Sequence, residues 1–165
     1  TDELATAVGG VDGVLDVAVA SDSARRAALW RLREEHTLAI NTVGVPHKFD
    51  VTLPQAALGV FAERVRSVVA AVEPAAQVWL FGHVGDGNLH VNVTGVAPDA
   101  RALDDAVYAL GVEMGGSISA EHGIGTAKAR HLALDRTPAE LAAMRAIKSA
   151  LDPAGILNPN VLFAP

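Results

Sequence analysis

The sequence predicts an α+β fold, with a mixed or antiparallel sheet and helices packed on it. Segments whose apolar residues alternate are interspersed with segments whose apolar residues recur every three or four positions. Two of the strand-like segments also flank a short turn and therefore form a hairpin, which favours α+β over a parallel architecture. The chain has 165 residues, the size of one ordinary domain. We therefore expect residues 1–165 to form a single domain.

The first predicted elements lie in residues 13–54. GVLDVAVA (13–20) alternates and predicts a strand. Ser23 is a predicted helix cap before ARRAALWRLREEH (24–36), whose apolar residues have helical spacing. NTVGVPH (41–47) has turn composition and predicts a loop, and KFDVTLP (48–54) predicts a second strand.

The remaining elements alternate between helices and strands. A helix is predicted over 58–72, where apolar residues recur at steps of three and four. AQVWLFGH (76–83) and NLHVNVTG (88–95) predict the two strands of the hairpin. Further helices are predicted over about 100–114 and 138–151, separated by a glycine-rich stretch and followed by a turn-rich tail.

Composition and charge exclude several classes of protein. The net charge is −6 and aromatic residues make up only 4%, so binding to nucleic acid is not expected. The chain has no cysteine, so any metal must be bound by His, Asp or Glu. No apolar run approaches the ~20 residues that span a bilayer, and the first residues lack the pattern of a secretory signal. A cytoplasmic location is therefore expected, with a peripheral position at a membrane as the alternative.

FGHVGDGNLHVNV (81–93) places two of the six histidines around a tight turn. Asp-Gly at 86–87 favours a two-residue hairpin turn, because both positions tolerate positive φ. With this turn, His83 would lie directly opposite His90, with Cβ atoms about 5 Å apart. The period of two places Asn92 on the same face. The hairpin thus predicts a metal site, and two ordinary surface histidines are the alternative.

GGSISAEHGIGTAKAR (115–130) sets Glu121 and His122 between two glycine clusters. Glycine permits positive φ and a close backbone approach, which favours a binding loop; a flexible connector with incidental charges is the alternative. Together with the two hairpin histidines, the glutamate would supply three ligands and leave an open position, as catalytic divalent sites do. Such ligands permit Zn²⁺, Mn²⁺, Fe²⁺ or Co²⁺.

Four segments together resemble the C-terminal domain of FAD-linked oxidases of the vanillyl-alcohol oxidase superfamily: FGHVGDGNLHVNV, GGSISAEHGIGTAKARHL, KFDVTLP and LDPAGILNPN. Within that superfamily, the sequence is most similar to the branch that contains D-lactate dehydrogenase, D-2-hydroxyglutarate dehydrogenase and the glycolate oxidase flavin subunit. The resemblance implies a ferredoxin-like domain that covers the flavin, with FAD bound mainly by an N-terminal domain of the same polypeptide. We therefore expect residues 1–165 to be a fragment that is inactive in isolation.

The resemblance also implies roles for individual residues. The implied metal ligands are His83, His90 and Glu121, with Zn²⁺ expected first and Mn²⁺ or Fe²⁺ as alternatives. The implied acid/base is His122. The implied contacts to a small 2-hydroxy acid are Arg33, Thr37, Lys48 and Asn92. The implied contacts to FAD are Glu121, His122 and Asn158.

The implied reaction is the oxidation of a D-2-hydroxy acid to a 2-oxo acid. Arg33 and Thr37 are one helical turn apart and share a face. A guanidinium can bind a carboxylate through two parallel hydrogen bonds, and Lys48 would add a point charge. An electron-acceptor protein and a homodimer are further partners that the resemblance leaves open.

Several other polar residues have no obvious partner in the sequence. The side chains expected at the surface or at helix ends are His36, His47, His131, Lys128 and Arg130. Asp50 is expected to support the strand end or a neighbouring base, not the metal. From the residues alone, two other functions stay open: a metal-dependent hydrolase, and a non-catalytic interaction domain with a structural metal.

Overall fold

The computed structural model describes residues 2–163 and divides the chain into two compact units, Thr1–Ala39 and Ile40–Pro165. The first unit contains α1 (Asp2–Gly9) and α2 (Ser23–Glu34). α3 (His36–Val43) follows α2 after a break at Glu35 and includes the point where the units are divided.

Three predictions in the N-terminal part of the chain are wrong. Residues 13–20 form no strand, because alternation favours one buried face but cannot supply a neighbouring strand. Asp22, not Ser23, caps α2, and its carboxylate accepts a hydrogen bond from the Arg25 N–H at 2.8 Å. The predicted loop at 41–47 is helical up to Val43.

The second unit is built on an antiparallel sheet in the order β1-β3-β2, which has three strands in the described residues: β1 (His47–Thr52), β2 (Gln77–His83) and β3 (Asn88–Thr94). α4 (Leu58–Val72) connects β1 to β2, and α5 (Arg101–Glu113) follows β3. This β-α-β-β-α order is ferredoxin-like. A single antiparallel bridge between Thr52 and Ser117 lies beside β1, where a fourth strand would pair. The α+β prediction is confirmed.

The two faces of the sheet have opposite character. The core joins one face of the sheet to α4 and α5, and its most deeply buried members include Phe49, Val51, Val91, Val93, Phe61, Val65, Val69, Leu103 and Val107. The apolar spacing predicted both helices correctly. Because successive side chains in a strand alternate, Asp50, His90 and Asn92 lie on the other face, which we call the polar face.

The β2–β3 connection differs from the predicted two-residue turn. Val84–Asp86 form a 3₁₀ turn and Gly87 takes φ +70°, whereas Asp86 has no positive φ. With four residues in the connection, His83 pairs with Asn88, and Phe81 lies opposite His90. The predicted His83–His90 pairing is therefore wrong by two positions. A shift of two still leaves both histidines on the polar face.

The last helix, α6 (Pro138–Leu151), begins with a capping box. The Thr137 hydroxyl accepts a hydrogen bond from the Glu140 N–H, and the Glu140 carboxylate accepts one from the Thr137 N–H. A 3₁₀ segment (Ala129–Leu134) precedes α6. None of the helices in residues 2–163 is long and apolar enough to cross a membrane.

Gly87→Ala should destabilise the protein, because two constraints meet at Gly87. A Cβ there would lie 2.1 Å from the Leu53 carbonyl oxygen, and φ is +70°. The left-handed conformation alone costs a non-glycine residue about 1–2 kcal/mol, so the free energy of unfolding from urea titration should fall by at least that amount. Gly85→Ala is the matched control, since its Cβ would meet nothing within 4 Å. Equal effects of the two substitutions would contradict this reading of the turn.

Candidate functional site

The polar face brings the predicted metal ligands close together. His90 occupies the central strand, opposite Asp50 of β1 and Phe81 of β2. His83 ends β2, and its ring centroid lies 6.1 Å from that of His90. The hairpin therefore gathers the two imidazoles, although they are diagonal neighbours and not a direct pair.

Glu121 approaches both histidines from the segment that follows α5. Its Oε1 lies 3.0 Å from His83 Nδ1, and its Oε2 lies 3.8 Å from His90 Nε2. Two ring nitrogens thus face one carboxylate. This set of two nitrogens and an oxygen is chemically suited to a divalent transition metal.

Two glycines attach this segment to the sheet. Gly115 follows the C-terminal cap of α5 and takes φ +77°. At Gly116, a Cβ would lie 2.2 Å from the Thr52 carbonyl oxygen. The absence of a side chain lets Ser117 exchange two backbone hydrogen bonds with Thr52, at 2.9 and 3.1 Å. The first glycine pair of the motif therefore brings Glu121 to the sheet.

Asp50 holds the backbone of the same segment. Its side chain is 0% exposed, and its Oδ2 accepts hydrogen bonds from the N–H groups of Ala120, Glu121 and His122 at 3.0, 2.8 and 2.9 Å. Burial raises the pKa of the Asp50 carboxyl. The hydrogen bonds from the N–H groups of His122 and Glu121, together with nearby positive charge, lower this pKa by more, so that it lies below its ordinary value. Asp50 is therefore a carboxylate.

Lys128 is the buried cation beside Asp50. It is 6% exposed, and its Nζ lies 3.9 Å from Asp50 Oδ2 and 3.5 Å from the Asp50 carbonyl oxygen. The prediction of a solvated Lys128 is wrong. Burial lowers the pKa of the ammonium, against the raising effect of Asp50 and Asp135.

His122 stacks on His90. The ring centroids are 5.4 Å apart and the ring planes differ by 13°. The His122 side chain is 52% exposed, and its Nδ1 lies 3.9 Å from Asp50 Oδ2. An exposed imidazole next to the histidine pair is placed to exchange protons with a bound molecule.

A second group of ligand atoms lies within the same cluster. In the part of the chain described here, atoms of Asp50, His90 and His122 all lie within 4.8 Å of one another, as in a metal site. His90 belongs to both groups, so the groups are alternatives. Burial lowers the pKa of the His90 imidazole more than Asp50 and Glu121 raise it, which favours the neutral form that binds metals.

Two buried amides line the polar face beside the histidines. Asn92 is 3% exposed and lies opposite the exposed Lys48, and its Nδ2 has no hydrogen-bond partner in residues 2–163. Asn88 is 2% exposed, and neither of its side-chain polar atoms has a partner there. Buried polar groups are normally satisfied, so both amides can accommodate a ligand or water. Asn88 was missed, although the period of two from His90 and Asn92 indicates it.

Three other residues with implied roles lie away from this cluster in sequence. Arg33 is near the end of α2, where its Nη1 donates to Glu34 Oε1 at 2.9 Å. Thr37 lies in α3, so the break at Glu35 separates the two residues that were predicted to share one helix. Asn158 is exposed in the turns after α6, with φ 46°.

A separate ion-pair network surrounds the start of α5. His47 Nε2 lies 2.6 Å from Asp104 Oδ1, and Arg130 binds the other oxygen of Asp104 at 3.1 Å. His131 is buried and its Nε2 lies 2.7 Å from Asp105 Oδ1. The prediction of a surface His131 is wrong, because its partner on α5 is distant in sequence.

Comparison with known proteins identifies the family of this domain. Residues 2–162 match the family described as FAD linked oxidases, C-terminal domain. The chain belongs to this family. The predicted resemblance is confirmed over almost the full length of the sequence.

The relatives of this FAD-linked oxidase domain include D-2-hydroxyglutarate dehydrogenases. One from Xanthomonas citri pv. viticola is 40% identical over 91% of this chain and 33% of its own length. One from Stutzerimonas stutzeri is 35% identical, over 92% of this chain and 34% of its own length. The mitochondrial one from Bos taurus is 41% identical, over 88% of this chain and 27% of its own length. The chain thus spans about a third of the length of its bacterial relatives.

Lys128→Met should lower the free energy of unfolding by about 1–3 kcal/mol, because it removes the buried cation beside Asp50. Arg130→Met is the matched control: the Arg130 side chain is 37% exposed, so its ion pairs should contribute less than about 1 kcal/mol. Chemical denaturation at neutral pH measures both. A larger loss for Arg130→Met than for Lys128→Met would contradict the role given to the buried pair.

Proposed function

We propose that this chain is the substrate- and metal-binding part of an FAD-dependent oxidoreductase that oxidises a D-2-hydroxy acid to a 2-oxo acid. The observation that carries the proposal is the meeting of His83, His90 and Glu121, with His122 beside them, on one polar face. Family membership and the names of the relatives support the cofactor and the substrate class. FAD would be held mainly by a further domain of the same polypeptide.

The three residues that converge, His83, His90 and Glu121, would hold the metal. Their two imidazole nitrogens and one carboxylate fit Zn²⁺ first, and Mn²⁺ or Fe²⁺ as alternatives. Three protein ligands leave coordination positions for oxygen atoms of the substrate. A divalent ion at this point would lower the pKa of the substrate's hydroxyl group.

His122 would take the hydroxyl proton. Its ring is half-exposed and stacks on His90, so a substrate held at His90 would lie within its reach. FAD, when bound, supplies the acceptor for the hydride that leaves the substrate's Cα. The hydroxyl proton and the Cα hydride are the two hydrogens that separate a 2-hydroxy acid from its 2-oxo acid, so the reaction balances.

Residues on two strands and two helices would bind the substrate carboxylate. The buried Asn92 Nδ2 lacks a partner among the described residues and is a donor for such an oxygen, and Lys48 lies opposite it on β1. Arg33 and Thr37 are proposed for the same carboxylate from the family resemblance. Binding by several groups would settle the orientation of Cα before the chemical step.

The other predicted contacts are part of the same proposal. Glu121, His122 and Asn158 would contact FAD. An electron-acceptor protein and a homodimer stay predictions. The cytoplasmic location also stays a prediction, and the Bos taurus relative is named as a mitochondrial protein.

Replacement of His83 or Glu121 should greatly weaken metal binding. His83→Ala and Glu121→Gln each remove one of three donors, so the affinity for Zn²⁺ should fall beyond the roughly 10- to 100-fold typical of outer-shell changes. Elemental analysis after dialysis against a weak chelator measures the occupancy. His36→Ala, an exposed histidine of α3, is the control and should retain the metal. Full occupancy in both ligand variants would refute the proposed site.

The full-length polypeptide, with FAD held by its further domain, should reduce an artificial dye with D-2-hydroxy acids and not with their L enantiomers. Arg33→Lys keeps the charge but loses the planar fork, so kcat/KM should fall about 10- to 100-fold, as for a lost charge-assisted hydrogen bond of about 1.5–3 kcal/mol. Arg31→Lys, on the same helix and 74% exposed, is the matched control and should be unchanged. Equal kinetics for both variants would show that Arg33 does not bind the substrate carboxylate. If neither enantiomer were turned over, the proposed reaction would be refuted.

A further inference from the structure

The inference concerns Asp50, a buried acid in the middle of the polar face. It lies on β1 directly opposite His90 and is fully enclosed. The buried Lys128 Nζ lies 3.9 Å from Oδ2 and supplies a positive charge. A carboxylate can persist in such a place only if each oxygen has a compensating interaction.

The Oδ2 atom is occupied by backbone donors. Three consecutive N–H groups, from Ala120, Glu121 and His122, all point at it from 2.8 to 3.0 Å. Successive N–H groups that surround one anion fix the backbone that carries them. Asp50 therefore determines where the side chains of Glu121 and His122 begin.

The Oδ1 atom faces His90. It is buried and accepts no hydrogen bond within residues 2–163, and His90 Nδ1 is 3.4 Å away. Nε2, the other ring nitrogen of His90, faces Glu121 Oε2. A proton on Nδ1, directed at the Asp50 carboxylate, would leave the Nε2 lone pair free on the side of Glu121.

We propose that Asp50 is the positioning residue of this site: Oδ2 fixes the backbone of residues 120–122, and Oδ1 selects the His90 tautomer whose Nε2 lone pair is free. This inference rests on the proposed function in one respect, that His83, His90 and Glu121 are the metal ligands. Lys128 balances the charge of Asp50, so the arrangement is complete before a metal binds.

The competing assignment makes Asp50 itself a ligand, together with His90 and His122. A metal on Oδ2 would compete with the three backbone hydrogen bonds that this oxygen already accepts. The stacked rings of His90 and His122 also argue against it, because their planes differ by only 13°. An imidazole lone pair lies in the plane of the ring, so two stacked rings are poorly arranged to direct both lone pairs at one ion.

Asp50→Asn tests the proposal with a side chain of the same shape. The three N–H donors should select the amide oxygen, which leaves the amide NH₂ facing His90 Nδ1. A donor at this position favours the tautomer protonated on Nε2, which cannot bind a metal through that nitrogen. Two effects are therefore expected in the variant: a changed tautomer of His90, and a loss of about 10- to 100-fold in Zn²⁺ affinity.

The tautomer is read by ¹⁵N NMR of the metal-free protein labelled at histidine, and Zn²⁺ affinity by competition with a chelator. The wild-type protein should show His90 protonated on Nδ1. This measurement does not depend on whether a variant folds. Asp104→Asn is the matched control, because Asp104 pairs with His47 Nε2 at 2.6 Å outside the site. It should alter the signal of His47 and leave the Zn²⁺ affinity unchanged.

Two results would overturn the positioning role. One is a wild-type His90 protonated on Nε2. The other is a Zn²⁺ affinity that falls in Asp50→Asn and His122→Gln but is retained in His83→Ala, which would make Asp50 a ligand. If wild-type protein bound no Zn²⁺, the proposed metal site would fail; a tautomer change in Asp50→Asn would still support the role of Asp50 in orienting His90.

Discussion

The hydrogen bonds from the N–H groups of residues 120–122 to Asp50 Oδ2 are the constraint on which the rest of the site depends. The histidines of the hairpin belong to the sheet, whereas Glu121 and His122 belong to a segment with no regular secondary structure of its own. Asp50 joins the two parts because it is part of the sheet and binds the segment. Hydrogen bonds to an ionised acceptor are roughly twice as strong as neutral ones, and burial removes the competition from water.

The sheet can hold the buried Asp50 carboxylate because one of its faces packs the apolar core and the other is polar. One face packs on α4 and α5 and supplies the apolar core. Where a ferredoxin-like fold continues into a fourth strand, this chain makes one bridge at Ser117 and then departs across the polar face. Gly116 permits that bridge, since any side chain there would meet the Thr52 carbonyl oxygen. The short bridge thus frees the residues that follow for the site.

Local patterns predicted most of the fold, and contacts between distant residues account for what they missed. Four buried residues of α4, Leu58, Phe61, Val65 and Val69, recur at helical spacing, so one face of the helix was visible in the sequence. Residues 13–20 alternate equally well but form no strand, since alternation does not reveal a pairing partner. The hairpin itself was predicted, but its register was not, because the conformation of the 84–87 connection depends on the contact of Gly87 with Leu53.

The site residues show the same division. The hairpin and glycine motifs placed His83, His90, Glu121 and His122 together, and the structure brings them close. The burial of Lys128 could not be predicted, because its partner Asp50 lies 78 positions away. For Asp50 the sequence indicated a supporting role, but its three backbone donors also come from a distant segment.

The most direct measurement is a crystal structure of the protein with Zn²⁺, with an anomalous difference map recorded at the zinc absorption edge. The zinc peak is expected among His83, His90 and Glu121, with Asp50 still bound to the backbone of residues 120–122. A peak coordinated by Asp50, His90 and His122 would contradict the division between ligands and positioning residue.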